Sequence, residues 1–190
     1  MSEIGSHPGA WTGFNFSGLN TQNQLGMAFT MPETGDITSI SCFFGGDGSA
    51  VNAKLCVWDG SGTLLASTAQ FSAASGSRSA GGQAWQTQSL GSALRVTSGA
   101  TIYVGFWRDP AGSSVWSTAS SGTWYDRNCT GGSVCAMTGL TSHGSASIGA
   151  YATYTPVAAT QQVYVDTVQL TTGTYVDGGQ VADYLDTVEL

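Results

Sequence analysis

Ile37-Thr-Ser-Ile-Ser-Cys-Phe-Phe44, Ala53-Lys-Leu-Cys-Val-Trp58 and Leu64-Leu-Ala-Ser-Thr-Ala-Gln-Phe71 are three short runs joined through Gly45-Gly-Asp-Gly48 and Asp59-Gly-Ser-Gly62. Ile40, Cys42 and Phe44 alternate along the first run, and Leu55 and Val57 along the second; a period of two puts each set on one side of an extended chain. Gly and Asp clusters between such runs are turn chemistry. Residues 37–71 are therefore expected to be successive antiparallel strands, each half buried in a two-sheet sandwich.

The same signature continues on both sides, and helical periodicity is absent throughout. Further strands are expected at 11–16, 24–30, 83–89, 100–108, 115–117, 122–125 and 146–154, rich in Val, Ile, Phe, Tyr and Trp and bounded by Gly, Ser, Asn and Asp. Ile102, Val104 and Phe106 share one side of their strand and Tyr103, Gly105 and Trp107 the other. Apolar residues on both sides mark a central strand.

With 190 residues and 41% hydrophobic content, the chain can bury one sizeable core and carry an appendage. Charged residues are 9% of the chain against roughly 25% in an ordinary soluble domain. Ser, Thr, Gly and Ala take their place and give a neutral, hydroxylated surface, suited to packing against neighbours or to work outside cells. The net charge of -7 argues against a phosphate-tracking groove, so nucleic acid is not expected as a partner. No apolar run approaches the roughly 20 residues that cross a bilayer, so no membrane insertion is expected. The start, Met1-Ser-Glu-Ile-Gly-Ser-His-Pro8, lacks the basic and apolar regions of a signal peptide. The expectation is either a leader removed before residue 1 or exit by another path, such as release of assembled virus particles by lysis.

The cysteines fall into two local pairs whose spacing is unlike a four-ligand zinc site. Cys129-Thr-Gly-Gly-Ser-Val-Cys135 can close a small loop in an oxidising medium, while Cys42 and Cys56, inside apolar runs, read equally as buried thiols on neighbouring strands or as a bridge. No metal and no cofactor are expected, a structural calcium held by backbone carbonyls and a single acid being the one open case. Hydrolysis by paired carboxylates needs two acids about 5 to 9.5 Å apart. The acids near tryptophans are Asp59, Asp109 and Asp126, and each has a plainer reading, the first two in turns and Asp126 in a local ion pair with Arg127. His7 and His143 lack the sequence context of a catalytic triad, so no catalytic residues are assigned.

Residues 109–143 are mostly Gly, Ser and Thr around isolated aromatics, the expected binding edge. Sugars stack on flat rings while polar neighbours fix their hydroxyls, so Trp107, Trp116, Trp124 and Tyr125 are the glycan-binding candidates. Trp116, Trp124 and Tyr125 are expected to be exposed or half exposed.

Beyond Pro156 the chain changes character. Tyr164-Val-Asp-Thr-Val-Gln-Leu170 recurs as Tyr184-Leu-Asp-Thr-Val-Glu-Leu190, so Tyr164, Asp166, Val168 and Leu170 form one strand face and Tyr184, Asp186, Val188 and Leu190 repeat it. Tyr175-Val-Asp177 lies between and runs into Gly178-Gly179, suited to a meander. Three short strands bury little alone. The expected organisation is a sandwich over 1–157 and C-terminal strands over 158–190, the latter either a final hairpin or an assembly arm. Asp166, Asp177, Asp183, Asp186 and Glu189 follow residue 160, where no Lys or Arg occurs, so a basic partner is expected for an arm.

Pro32-Glu-Thr-Gly35-Asp-Ile-Thr-Ser-Ile40, the run Ala53 to Ser67 with its Trp58-Asp-Gly corner, and Val96-Thr-Ser-Gly99-Ala-Thr-Ile-Tyr-Val-Gly105-Phe together resemble a jelly-roll-like sandwich found in minor tail and accessory virion proteins of actinobacteriophages and in some exported carbohydrate-binding-like modules. The resemblance spans about residues 11–157, and Tyr164-Val-Asp-Thr-Val-Gln-Leu170 is similar to the last strand of many such sandwiches, which would make residues 171–190 the extra segment. It implies an all-β, jelly-roll-like antiparallel β-sandwich with a C-terminal β extension, and carries no catalytic residue. The function it implies is a non-enzymatic virion structural protein, partnered by other virion proteins in a homo-oligomer or symmetric assembly and located in the extracellular particle. The alternative is a carbohydrate-binding module or adhesin for a host envelope glycan; a glycan hydrolase ranks last.

Overall fold

The computed structural model describes residues 1–6, 24–47, 50–73, 75–76, 84–109, 114–116, 118–119, 123–127, 129, 133–144, 147–158, 176–177 and 180–181. Residues 1–159 and 160–190 are separate compact units, against an expected division after residue 157. In the first unit the strands are β1 (Ser2–Ser6), β2 (Gln24–Thr30), β3 (Gly35–Asp47), β4 (Val51–Asp59), β5 (Leu64–Ser67), β6 (Phe71–Ala73), β7 (Ser75–Gly76) and β8 (Ala84–Val96). They are followed by β9 (Thr101–Arg108), β10 (Ser114–Trp116), β11 (Thr118–Ala119), β12 (Thr123–Arg127), β13 (Thr141–Gly144), β14 (Ser147–Ile148) and β15 (Ala150–Pro156). The expected strand over 11–16 lies outside the described residues.

A six-stranded sheet has the order β1-β15-β3-β10, with β7 and β8 also on β3, and a seven-stranded sheet has β13-β12-β2-β9-β4-β5, with β6 also on β4. Pairing is antiparallel except for β3 with β7. The chain passes between the sheets at β1–β2, β2–β3, β3–β4, β6–β7, β8–β9 and β9–β10, the wiring of a jelly-roll-like sandwich. Among the described residues no helix is long and apolar enough to cross a membrane.

Alternation decides what each sheet buries. Ile40, Cys42 and Phe44 of β3 meet Leu55 and Val57 of β4 and Ile102, Val104 and Phe106 of β9 in one core. Phe44 and Phe106 stack across it with ring centroids 4.1 Å apart. β9 is central, as its two apolar sides require, with β2 on one side and β4 on the other.

Two turns behave differently from each other. Asp59-Gly-Ser-Gly62 closes the β4–β5 hairpin, with the Asp59 N–H donating to the Thr63 carbonyl at 2.9 Å and the Gly62 N–H to that of Asp59 at 2.8 Å. Gly45-Gly-Asp-Gly48 does not close a hairpin, because β3 and β4 belong to opposite sheets. Cys42 and Cys56 are consequently free, buried thiols, one in the intersheet core and the other in a second apolar cluster, rather than neighbours in one sheet. Burial pushes both thiols up and leaves them unreactive. The expected strand over 64–71 is also broken. Thr68 turns inward, its hydroxyl accepting the Leu55 N–H at 3.1 Å in place of a ladder bond.

In the unit over 160–190, Val176–Asp177 (β16) pairs with Gln180–Val181 (β17) around Gly178-Gly179, where the sequence places a turn.

Candidate functional site

The outward face of the seven-stranded sheet carries Trp107 and Tyr125, two of the four aromatics expected at a binding edge, and it is covered. Trp58, Cys56 and Trp107 form a second buried cluster with Cys129 and Met137, and Leu64, Tyr103, Tyr125, Val134, Cys135 and Leu140 pack against it. The cover is a strap, residues 133–140, which contains no strand. A disulfide joins Cys135 at its start to Cys129. Gln24, buried at the start of β2, accepts the Cys135 N–H at 3.2 Å and donates to the Cys135 carbonyl at 3.1 Å. Trp58 Nε1 donates to the same carbonyl at 2.9 Å. The Met137 N–H donates to the Gly62 carbonyl at 2.6 Å. Gly62 has a φ of +86°, and a Cβ there would lie 2.1 Å from the Met137 carbonyl oxygen, so the strap needs glycine at this turn.

This arrangement corrects the expected glycan site. Trp107 is 1% exposed, beneath the strap. Trp124 points the other way: it stands opposite Met27 of β2, is 6% exposed and belongs to the intersheet core. Tyr125 is half buried, its ring edge-on to Tyr103 at 5.3 Å and 87°. Trp116 lies in β10 opposite Phe44, and its side chain is outside the described set. The four candidates therefore do not form one exposed row.

Reduction of the clasp is expected to lower the unfolding free energy by about 2 to 3 kcal/mol, the chain-entropy value for so short a loop. Denaturant titration with and without dithiothreitol measures it; unchanged stability would remove the bond from the energetics of the strap.

Asp59 and Asp109 are too far apart to form a hydrolytic pair. Asp59 stands opposite Ile102 at one end of β9, and Asp109 follows its other end, a separation of about 23 Å along the strand. Asp59 accepts from the Ser61 hydroxyl at 2.6 Å and the Thr63 N–H at 2.8 Å, which hold its carboxyl below the ordinary value. Asp126 is buried on the core side of β12, opposite Leu25. Arg127 alternates outward and donates to the carbonyl and hydroxyl of Thr138, so strand parity separates the side chains expected to pair. His7 lies outside the described residues, and His143 stands opposite Trp124 in β13. Among the described residues no group of three or more His, Cys, Asp or Glu is placed to hold a metal ion.

A second group of aromatics lies on the outward face of the six-stranded sheet, where Trp85 is 37% exposed. Trp85 of β8 stands opposite Phe43 of β3, and the two rings meet edge-on at 5.5 Å. Tyr151 of β15 meets Trp85 edge-on at 5.0 Å. Thr87 is opposite Ser41, with their hydroxyls hydrogen-bonded at 2.8 Å, and Ser39 lies between Ser89 and Thr153 in the next row. None of these was a sequence candidate. The available signal was parity: in Gln83-Ala-Trp-Gln-Thr-Gln-Ser89 the positions of Trp85, Thr87 and Ser89 share a face.

The C-terminal candidates Tyr164, Asp166, Val168, Leu170, Tyr184, Asp186, Val188 and Leu190 lie outside the described residues. A family model described as a domain of unknown function (DUF4082) matches residues 12–165, and the chain belongs to that family. No curated protein and no solved structure matches the chain.

Proposed function

We propose that this DUF4082 member is a non-enzymatic structural subunit of a bacteriophage virion, a minor tail or head-surface accessory protein held in the particle partly by its C-terminal strands. The observation that carries the reading is where the sandwich ends. The last strand of the first unit finishes at Pro156 and the family match at residue 165, whereas the repeated Tyr-x-Asp-Thr-Val-x-Leu sequence continues to Leu190. Strand-forming sequence beyond a sandwich with its own core is suited to pairing with a neighbouring subunit, a homo-oligomer or other virion protein. Its acids favour a basic surface there. The Cys129–Cys135 clasp fits an oxidising medium outside cells, as an extracellular particle provides. The separation of Asp59 from Asp109 supports a non-enzymatic role, and the net charge of -7 weighs against nucleic acid as the partner.

Deleting residues 171–190 is expected to leave a folded β domain by circular dichroism and to abolish incorporation into particles or, for the purified protein, self-association in sedimentation. A truncated chain that unfolds, or that assembles as the parent does, overturns the arm.

A further inference from the structure

We propose that residues 133–140 form a redox-gated strap: while Cys129 and Cys135 are joined it seals the free thiol of Cys56 against the seven-stranded sheet, and when that bond is reduced it lifts and opens Cys56 to solvent. The inference is independent of the virion role and of the C-terminal strands. The two free thiols, Cys42 and Cys56, are buried in different places. Cys42 belongs to the intersheet core, whereas Cys56 belongs to the cluster that the strap completes with Cys129 and Met137. Cys56 stands opposite Gly105 of β9, which stands opposite Gly26 of β2, so the row beside the thiol carries no side chain on two successive strands. Met137 fills this row from the strap: a Cβ on Gly26 would lie 3.3 Å from its Cε.

The strap is held at few points. It contains no strand, so no ladder keeps it down, and segments of that kind open locally before the sheets beneath them do. Its anchors converge on Cys135, where the disulfide, the Gln24 amide and Trp58 Nε1 all act. The Met137 N–H bond to Gly62 and the Arg127 contacts to Thr138 complete the hold. Closure also has a cost. Beneath the strap Trp107 Nε1 is buried with no hydrogen-bond partner among the described residues, and water relieves that once the strap lifts. The bond at Cys135 therefore tips a balance between the closed and open strap.

A dithiol reductant supplies the opening step. One of its thiolates attacks Sγ of Cys135, which is half-buried where Cys129 is 2% exposed, and Cys129 leaves as a thiolate. The second thiol of the reductant then displaces Cys135. The reductant gives up two electrons and departs as its own disulfide, and its two protons end on Cys129 and Cys135. A disulfide oxidant reverses the exchange. While the strap is closed, burial pushes the Cys56 thiol up and keeps it protonated, which makes it inert.

Timed alkylation of the native full chain with N-ethylmaleimide, read separately at Cys42 and Cys56 by peptide mass spectrometry, tests the gate. With the bond intact both thiols are expected to react slowly. After reduction by dithiothreitol and its removal without air, Cys56 is expected to react about tenfold faster or more, as a thiol released from burial does. Cys42 is expected to keep its slow rate, and oxidised glutathione to restore the slow rate at Cys56. An unchanged rate at Cys56 in the reduced chain would mean that the strap stays down without its bond, and overturns the proposal. Equal acceleration at Cys42 would mean that reduction loosens the whole sandwich, and overturns it as well. Fast alkylation of Cys56 with the bond intact does the same.

Discussion

Trp124→Ala is expected to lower the unfolding free energy by about 3 to 5 kcal/mol, the cost of emptying a buried tryptophan site. Its side chain is 6% exposed, faces the intersheet core, and stands opposite Met27 on β2 and His143 on β13. With antiparallel neighbours on both sides, β12 cannot readily collapse into the space the ring leaves, so much of the cavity persists. Domains of this kind have about 5 to 15 kcal/mol in total. The variant should therefore be partly unfolded or sharply denaturant-sensitive, while Trp124→Phe should lose much less. Chemical denaturation with the disulfide intact measures both. A loss below about 1 kcal/mol for the alanine variant would return Trp124 to the surface and restore it as a ligand candidate.

The sequence context of Trp124 shows why the core was easier to read than the site. In Gly122-Thr-Trp-Tyr125 the ring sits among small polar residues, and neighbours along a strand say little about burial, because they point to opposite faces. Where apolar residues themselves alternate, as at Ile40, Cys42 and Phe44 or Ile102, Val104 and Phe106, parity and composition agree and the core is legible. Where a single aromatic stands among polar residues, parity fixes only which residues share its face; which face is inward depends on the partner strand. Trp85 and Trp124 are alike locally and opposite in burial for this reason.

Other features have no local signature at all. Gly45-Gly-Asp-Gly48 has hairpin chemistry but carries the chain between sheets, since Gly and Asp permit either path. β1 was absent from the expected strands because Ile4 is its one buried apolar residue; the strand is held by its ladder with β15. The two apolar sides of β9 did demand a cover on both. The cover on the outward side is the strap, whose Val134, Met137 and Leu140 show no strand period and are positioned by Gln24, Trp58 and Gly62, residues more than 70 positions earlier.

Trp58→Ala should cost about as much as Trp124→Ala, roughly 3 to 5 kcal/mol, but through the strap rather than the intersheet core. Trp58 is fully buried, fills the space beside Met137 and Trp107, and its Nε1 donates to the Cys135 carbonyl at 2.9 Å. The alanine variant loses both packing and donor. Trp58→Phe separates the two. It keeps an aromatic ring, and the Cys135 carbonyl retains the Gln24 amide at 3.1 Å, so the loss from the missing donor should be only about 1 kcal/mol, the net value of one neutral hydrogen bond. The strap supplies the distinguishing measurement. With Trp58 gone it has lost its floor, so dithiothreitol should reduce the Cys129–Cys135 bond many times faster in native buffer than in the parent, whereas Trp124→Ala, once corrected for its unfolded fraction, should not change that rate. Equal reduction rates in Trp58→Ala and the parent would mean that Gln24 and Gly62 alone hold the strap and that Trp58 stabilises the sheet independently of it.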